Sequence, residues 1–140
     1  MSEAVKLSFE VPGDDFTRAG EASGTVKRTL KKLGFSGELV RRVSIAMYEA
    51  EINMVIHAHG GKIEVSICPE EIRIDLIDHG PGIPNVELAM REGYTTVTDN
   101  VRSLGFGAGM GLPNIKKYSD DMLIDTEVGV GTTLHLTFRT

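Results

Sequence analysis

The chain has 140 residues, 41% hydrophobic and 25% charged, which suits one globular domain with its own core and excludes disordered or collagen-like chains. Twenty acidic against fifteen basic residues leave a formal net charge of −5, and without a Lys/Arg block the electrostatic footprint of a nucleic-acid binder is missing. Its single cysteine, Cys68, has no partner for an internal disulfide and no CxxC neighbour for zinc, so it reads as a small, half-buried strand residue.

The N-terminal MSEAVKLSFEV shows no cationic stretch leading into an apolar run, and nowhere do about 18 apolar residues follow one another. The expectation is a cytoplasmic protein, one domain over residues 1–140, with neither nucleic acid nor membrane as partner. Lys6 to Val11 alternates Leu7, Phe9 and Val11 with Ser8 and Glu10, a strand with one buried face, broken by Pro12-Gly13. Asp14 or Asp15 is placed to cap a helix carrying Phe16, Ala19, Val26, Leu30 and Leu33 and stopping at Gly34. Ser36 starts a longer helix to about Ala58, with Val40, Val43, Met47, Ala50 and Met54 as its apolar stripe, ended before Gly60-Gly61. Lys62 to Cys68 and Glu71 to Asp78 alternate as two strands of a hairpin. A short helix is expected around Val86 to Arg91, then a long glycine-bearing loop from Gly93 to Gly109, and loops of that length are usually functional or disordered. Leu112 to Tyr118 forms a helix, and Met122 to Asp125 and Thr132 to Phe138 close the chain as strands. The resulting fold class is α+β, a two-layer sandwich with helices on one face of a mixed, mainly antiparallel sheet.

Three groups of residues carry chemistry. Glu49, Asn53 and His57 recur at i, i+4 and i+8 and so form one narrow seam, bordered by Ile45, Ile52 and Ile56 on one side and by Val43, Ala50 and Met54 on the other. Burying a carboxylate costs several kcal/mol unless something compensates, so the seam needs either a core hydrogen-bond partner or a ligand or metal. His57, at the end of the helix, reads as a cap or structural group. Arg41, Ser44, Tyr48 and Glu51 fall on the opposite side, and Glu51 is expected to face solvent. Asp78-His79-Gly80-Pro81-Gly82 ends a strand, where a carboxylate can face a cavity and glycines admit a ligand closely. Gly105-Phe106-Gly107-Ala108-Gly109-Met110-Gly111 runs directly into a helix, which makes either a backbone-amide cradle for phosphate or a hinge. P-loop, dinucleotide-fold, serine-elbow and HExxH motifs are absent from the sequence, so any nucleotide site is of another kind.

In this order and spacing, Glu49-x-x-x-Asn53, Asp78-x-Gly80-x-Gly82, the Gly105 to Gly111 run and Gly131-Thr132-Thr133 resemble the GHKL ATP-binding superfamily (the Bergerat fold), from about residue 36 to the C-terminus. Within it the chain is most similar to the bacterial anti-sigma factor serine/threonine kinases (the RsbW, SpoIIAB and RsbT group), and GPGIP, Gly-Tyr-Thr-Thr and GFGAGMGLPNIKK look closest to the RsbT-like members. The resemblance implies ATP and Mg²⁺ as cofactors. It makes Glu49 the general base and Asn53 the Mg²⁺ ligand, and has Asp78 accept from the adenine amino group. Gly80 and Gly82 would admit the adenine, Gly105, Gly107, Gly109 and Gly111 would form a lid over the phosphates, and Thr132 would support water beside the adenine. It further implies phosphorylation of a serine on a STAS-type antagonist protein in a partner-switching pathway, with a sigma factor or a phosphatase as further partner. The alternative is an ATP-gated binding module with little or no kinase activity. Oligomeric state is not legible.

Overall fold

The computed structural model describes residues 4–13, 18–57, 60–83, 86, 90 and 111–140, the side chain of His57 excepted. The element order is β1 (Val5–Pro12), α1 (Glu21–Lys32), α2 (Gly37–His57), β2 (Gly60–Ile67), β3 (Glu71–Ile77), α3 (Gly111–Tyr118), β4 (Asp121–Glu127) and β5 (Gly131–Arg139). The strands form one sheet in the order β1-β2-β3-β5-β4, and all four pairings are antiparallel. The expected short helix falls largely outside the described residues; its described residues Val86 and Met90 share one helical bond, from the Met90 N–H to the Val86 carbonyl at 3.0 Å.

The period-two alternation of each strand becomes continuous rows across the sheet. One row runs Phe9, Ile63, Leu76, Leu134, Ile124, and the next Leu7, Val65, Ile74, Leu136, Met122. This face is covered by the helices, with Ile63, Ile74 and Phe138 at 0% exposure. The opposite face carries polar residues, including an Asp75–His135 pair at 2.8 Å and a Lys62–Glu64 pair at 3.0 Å. α2 packs against α1 and α3 and against β1, β2 and β3. Its stripe Val40, Val43, Met47, Ala50 and Met54 is buried throughout, as its periodicity requires.

Local chemistry sets the helix ends. The Leu39 N–H donates to Ser36 Oγ at 3.2 Å, the cap read from the sequence. At the end of α1 the Gly34 N–H donates to the Lys31 carbonyl and the Phe35 N–H to the Leu30 carbonyl, a Schellman-type closure. Leu33 falls at this C-cap and is 48% exposed, so it leaves the apolar stripe expected to hold it. At the other end, Cys68 lies just past β2 and is half-buried.

The start of α1 corrects the sequence reading. The helix begins at Glu21 with Gly20 as its cap residue, which makes no side-chain capping bond, and not at Asp14 or Asp15. The capping group comes instead from α2. Glu51 accepts the N–H groups of Gly20 and Ala22 on Oε2 (2.9 and 3.3 Å) and that of Ser23 on Oε1 (3.0 Å). Glu51 is therefore not solvent-facing but 2% exposed. Burying a lone carboxylate costs several kcal/mol. Three bonds to an ionised acceptor, each worth about 1.5–3 kcal/mol, and the positive end of the helix dipole together offset it.

At the far end of the sheet, Asp120 Oδ2 accepts from the Arg139 N–H at 2.6 Å and lies 3.3 Å from Arg42 Nη1. The Arg139 N–H, and after it Arg42, hold the Asp120 carboxyl below the usual carboxylate range. Such exposed pairs contribute little to stability.

Glu51→Ala is expected to cost about 2–3 kcal/mol, because three helix-terminal donors lose their acceptor in a water-poor site. Urea denaturation measures it. A loss under about 0.5 kcal/mol would mean that water replaces the carboxylate.

Candidate functional site

The site forms where β3 ends and the C-terminal half of α2 passes over it. A β-carbon placed on Gly61 would lie 2.7 Å from Met54 Cε and 3.1 Å from Asp78 Cα, which puts the helix turn holding Asn53 and Met54 beside the end of β3. Glu49 and Asn53 are both half-buried and share one seam of α2 by their i, i+4 spacing. Burial pushes the Glu49 carboxyl up from its ordinary value. Two acids two residues apart on α2 thus have opposite surroundings: Glu51 is saturated with backbone donors, whereas no donor among the described residues reaches Glu49.

Asp78 is fixed by main chain. Its Oδ1 accepts from the Gly80 N–H at 2.9 Å and from the Thr132 N–H at 3.1 Å, and its own N–H donates to the Thr132 carbonyl at 3.0 Å. No described donor meets Oδ2, which leaves an oriented acceptor at the site. The close approach of β5 depends on Gly131: at φ +147°, a β-carbon there would press on the Asp78 carbonyl oxygen and come within 2.9 Å of His79 Cα.

The β4–β5 hairpin also holds the segment after Asp78. The Gly129 N–H donates to the Pro81 carbonyl at 2.9 Å, and the Ile83 N–H donates to Thr126 Oγ1 at 2.9 Å. Gly82 (φ +79°) has its Cα face against the hairpin, where a β-carbon would fall 2.5 Å from the Glu127 carbonyl oxygen. Thr126 Oγ1 in turn shares a 2.8 Å bond with Thr132 Oγ1, and Thr132 is 9% exposed. Thr126 was missed in the sequence. The signal was available, since pairing the two strands about the Val128-Gly129-Val130 turn sets Thr126 opposite Thr132.

The structure therefore brings Asp78, Gly80, Gly82 and Thr132 into one hydrogen-bonded unit and places the Glu49–Asn53 helix beside it. Gly105, Gly107 and Gly109 lie outside the described residues, and Gly111 opens α3, one residue before the expected start. Among the described residues no three His, Cys, Asp or Glu side chains group as a metal-binding cluster. Asn53 instead offers a single half-buried amide oxygen, a hard donor of the kind Mg²⁺ takes when nucleotide phosphates and water complete its shell. No helix among the described residues is long and apolar enough to cross a membrane.

Residues 38–140 match the family described as histidine kinase-, DNA gyrase B-, and HSP90-like ATPase. The chain is 32% identical over 105 residues to an anti-sigma F factor of Caldanaerobacter subterraneus subsp. tengcongensis, covering 71% of this chain and 70% of that one. It is 28% identical over 112 residues to the serine/threonine-protein kinase RsbT of Bacillus subtilis, covering 77% and 78% of the two. The crystal structure of the RsbU and RsbW domains of Rv1364c from Mycobacterium tuberculosis superposes with a TM-score of 0.61 at 17% identity, over 96% of this chain and 32% of that one, a likeness of fold. The chain belongs to the GHKL family of ATPases, and its α+β sandwich is that family's fold.

Two outcomes follow from this geometry. Gly131→Ala is expected to cost about 1–3 kcal/mol in a denaturation series, since β5 must move away from Asp78. Glu49→Gln is expected to raise the melting temperature near pH 7. The folded state holds the Glu49 proton more tightly than the unfolded chain does, so ionisation costs stability as pH rises through the raised value. The gain should close as pH falls toward 4, about the ordinary glutamate range; a gain that persisted there would assign the effect to something other than charge.

Proposed function

We propose that the chain is a Mg-ATP-dependent protein serine/threonine kinase of a bacterial partner-switching pathway that phosphorylates a serine on a STAS-type antagonist protein. The observation carrying this reading is an oriented acceptor, Asp78, pinned by the Gly80 and Thr132 N–H groups, beside a helix whose Glu49 carboxyl is raised by burial. Family membership and the name of the RsbT relative support it.

In this reading Asp78 accepts from the adenine amino group through the oxygen left open by its backbone bonds. Gly80 and Gly82 let the ring edge approach, and Thr132 holds water beside it through the hydroxyl it shares with Thr126. Asn53 holds Mg²⁺, which when bound supplies neutralisation of the phosphate charge. Glu49 takes the proton of the acceptor serine as its oxygen bonds to the γ-phosphorus and ADP departs. A carboxyl raised toward working pH suits that transfer. Phosphoryl transfer asks mainly for positioning and charge neutralisation, which this set supplies. Gly111 brings the N-terminus of α3 after the glycine run Gly105, Gly107, Gly109 that would cover the phosphates.

The anti-sigma F factor name of the other relative favours a second reading, an ATP-gated module that sequesters a sigma factor or activates a phosphatase. Labelled γ-phosphate transfer from ATP into a STAS-type antagonist separates the two. Glu49→Gln is expected to lower transfer by at least about 100-fold with ATP binding retained. Transfer unchanged by that substitution removes the base role, and no transfer by the parent chain with ATP bound moves the assignment to the binding module. Asn53→Ala is expected to weaken Mg-ATP binding in calorimetry by about 100-fold, or about 2.7 kcal/mol; wild-type affinity would contradict the metal role.

A further inference from the structure

The outer side of the α1–α2 pair carries a groove of about 400 Å³ whose lining includes Lys27 and Lys31 of α1, Phe35 of the connection, and Val40, Arg41 and Ile45 of α2. It follows from two parallel seams. Lys27 and Lys31 lie at i and i+4 on α1, and Gly37, Arg41 and Ser44 at i, i+4 and i+7 on α2. Val40 is buried and Phe35 and Ile45 half-buried, giving an apolar floor, while Lys27, Lys31 and Arg41 are exposed along its edge.

Three features of the groove point to an occupant. In a chain of net charge −5, three cations border one apolar strip. Among the described residues, the ion pairs engage other cations and none holds Lys27, Lys31 or Arg41. The Arg41 guanidinium lies 5.6 Å from the Tyr118 ring centre, a stacking contact that orients its charge without neutralising it.

We propose that this groove docks an acidic amphipathic helical segment of a partner protein. Apolar residues at i, i+3, i+4 and i+7 of that segment would cover Phe35, Val40 and Ile45, and flanking carboxylates would pair with Lys27, Lys31 and Arg41. Nucleic acid shares the charge but not the match to an apolar floor. The groove seam and the Glu49–Asn53 seam lie about a third of a turn apart on α2, so this surface goes beyond the nucleotide reading and is measured separately from it.

The probe is a fluorescein-labelled peptide of about 14 residues, four turns of helix, with leucines at that spacing and glutamates on the flanks. Its control is a scrambled peptide of the same composition, and the receptor is the full chain. Anisotropy is expected to show salt-sensitive binding, with the scrambled peptide weaker by at least about 10-fold and the Lys27→Glu/Lys31→Glu variant weaker by a similar factor. Ile45→Ser is expected to lose about 3–10-fold through the floor alone, and amide NMR shifts should cluster on residues 35–45. The charge variant should keep wild-type melting and ATP affinity. Loss of ATP binding by the parent chain would count against the nucleotide reading and leave this one standing. Equal binding of the scrambled peptide, insensitivity to charge reversal, or tighter binding of a short oligonucleotide would each overturn it.

Discussion

The carboxylate of Asp78 ties the turn at the end of β3 to a strand more than fifty residues further along the chain. One of its oxygens holds the turn that follows β3 through Gly80 and the first residues of β5 through Thr132. The Thr132 hydrogen bond forms only because Gly131 has no side chain to keep β5 away. The hairpin that approaches so closely then secures the next residues in turn, Pro81 through Gly129 and Ile83 through Thr126. A side chain fixed by backbone on one oxygen loses little freedom when the other meets a donor, which is the preorganisation that a binding site uses to convert contacts into affinity.

α2 performs two tasks with two acids. Glu51 terminates α1 and holds that helix against α2, its charge matched by three N–H groups. Glu49, on a different face, has burial without such donors and is pushed up as a result. The contrast separates structure from chemistry within three residues: a fully satisfied buried charge is stable and inert, and a partly desolvated one is available for proton transfer. The other buried positions of α2, Val43, Met47 and Val55 among them, carry the packing.

Much of this was legible in the sequence because it follows from local rules. Alternation gave the five strands, the Gly60-Gly61 and Gly34 breaks gave the helix ends, and Ser36 gave its cap. Two of the departures, at Glu51 and at the start of α1, share one cause. A helical wheel compares each residue with the apolar stripe of its own helix, so it placed Glu51 outward and could not register that the N-terminus of another helix meets it there. For the same reason the capping group of α1 was sought among neighbouring acids in sequence and was found on α2, 28 to 31 residues away. Within the site, Asp78 and its glycines were visible as a pattern. The bond that holds the carboxylate against β5 was not, because its donor, the Thr132 N–H, lies over fifty residues further on.

The central claim is that Asp78 presents an acceptor to an exocyclic amine of a purine. Calorimetry of the parent chain with Mg-ATP and with Mg-inosine triphosphate, which carries a carbonyl oxygen where ATP carries the amino group, tests it directly. The account predicts that ATP binds at least about 10-fold more tightly, a difference of about 1.4 kcal/mol or more, because inosine sets an acceptor against a carboxylate. Equal affinity for the two nucleotides would contradict the role given to Asp78 and, with it, the adenine side of the site.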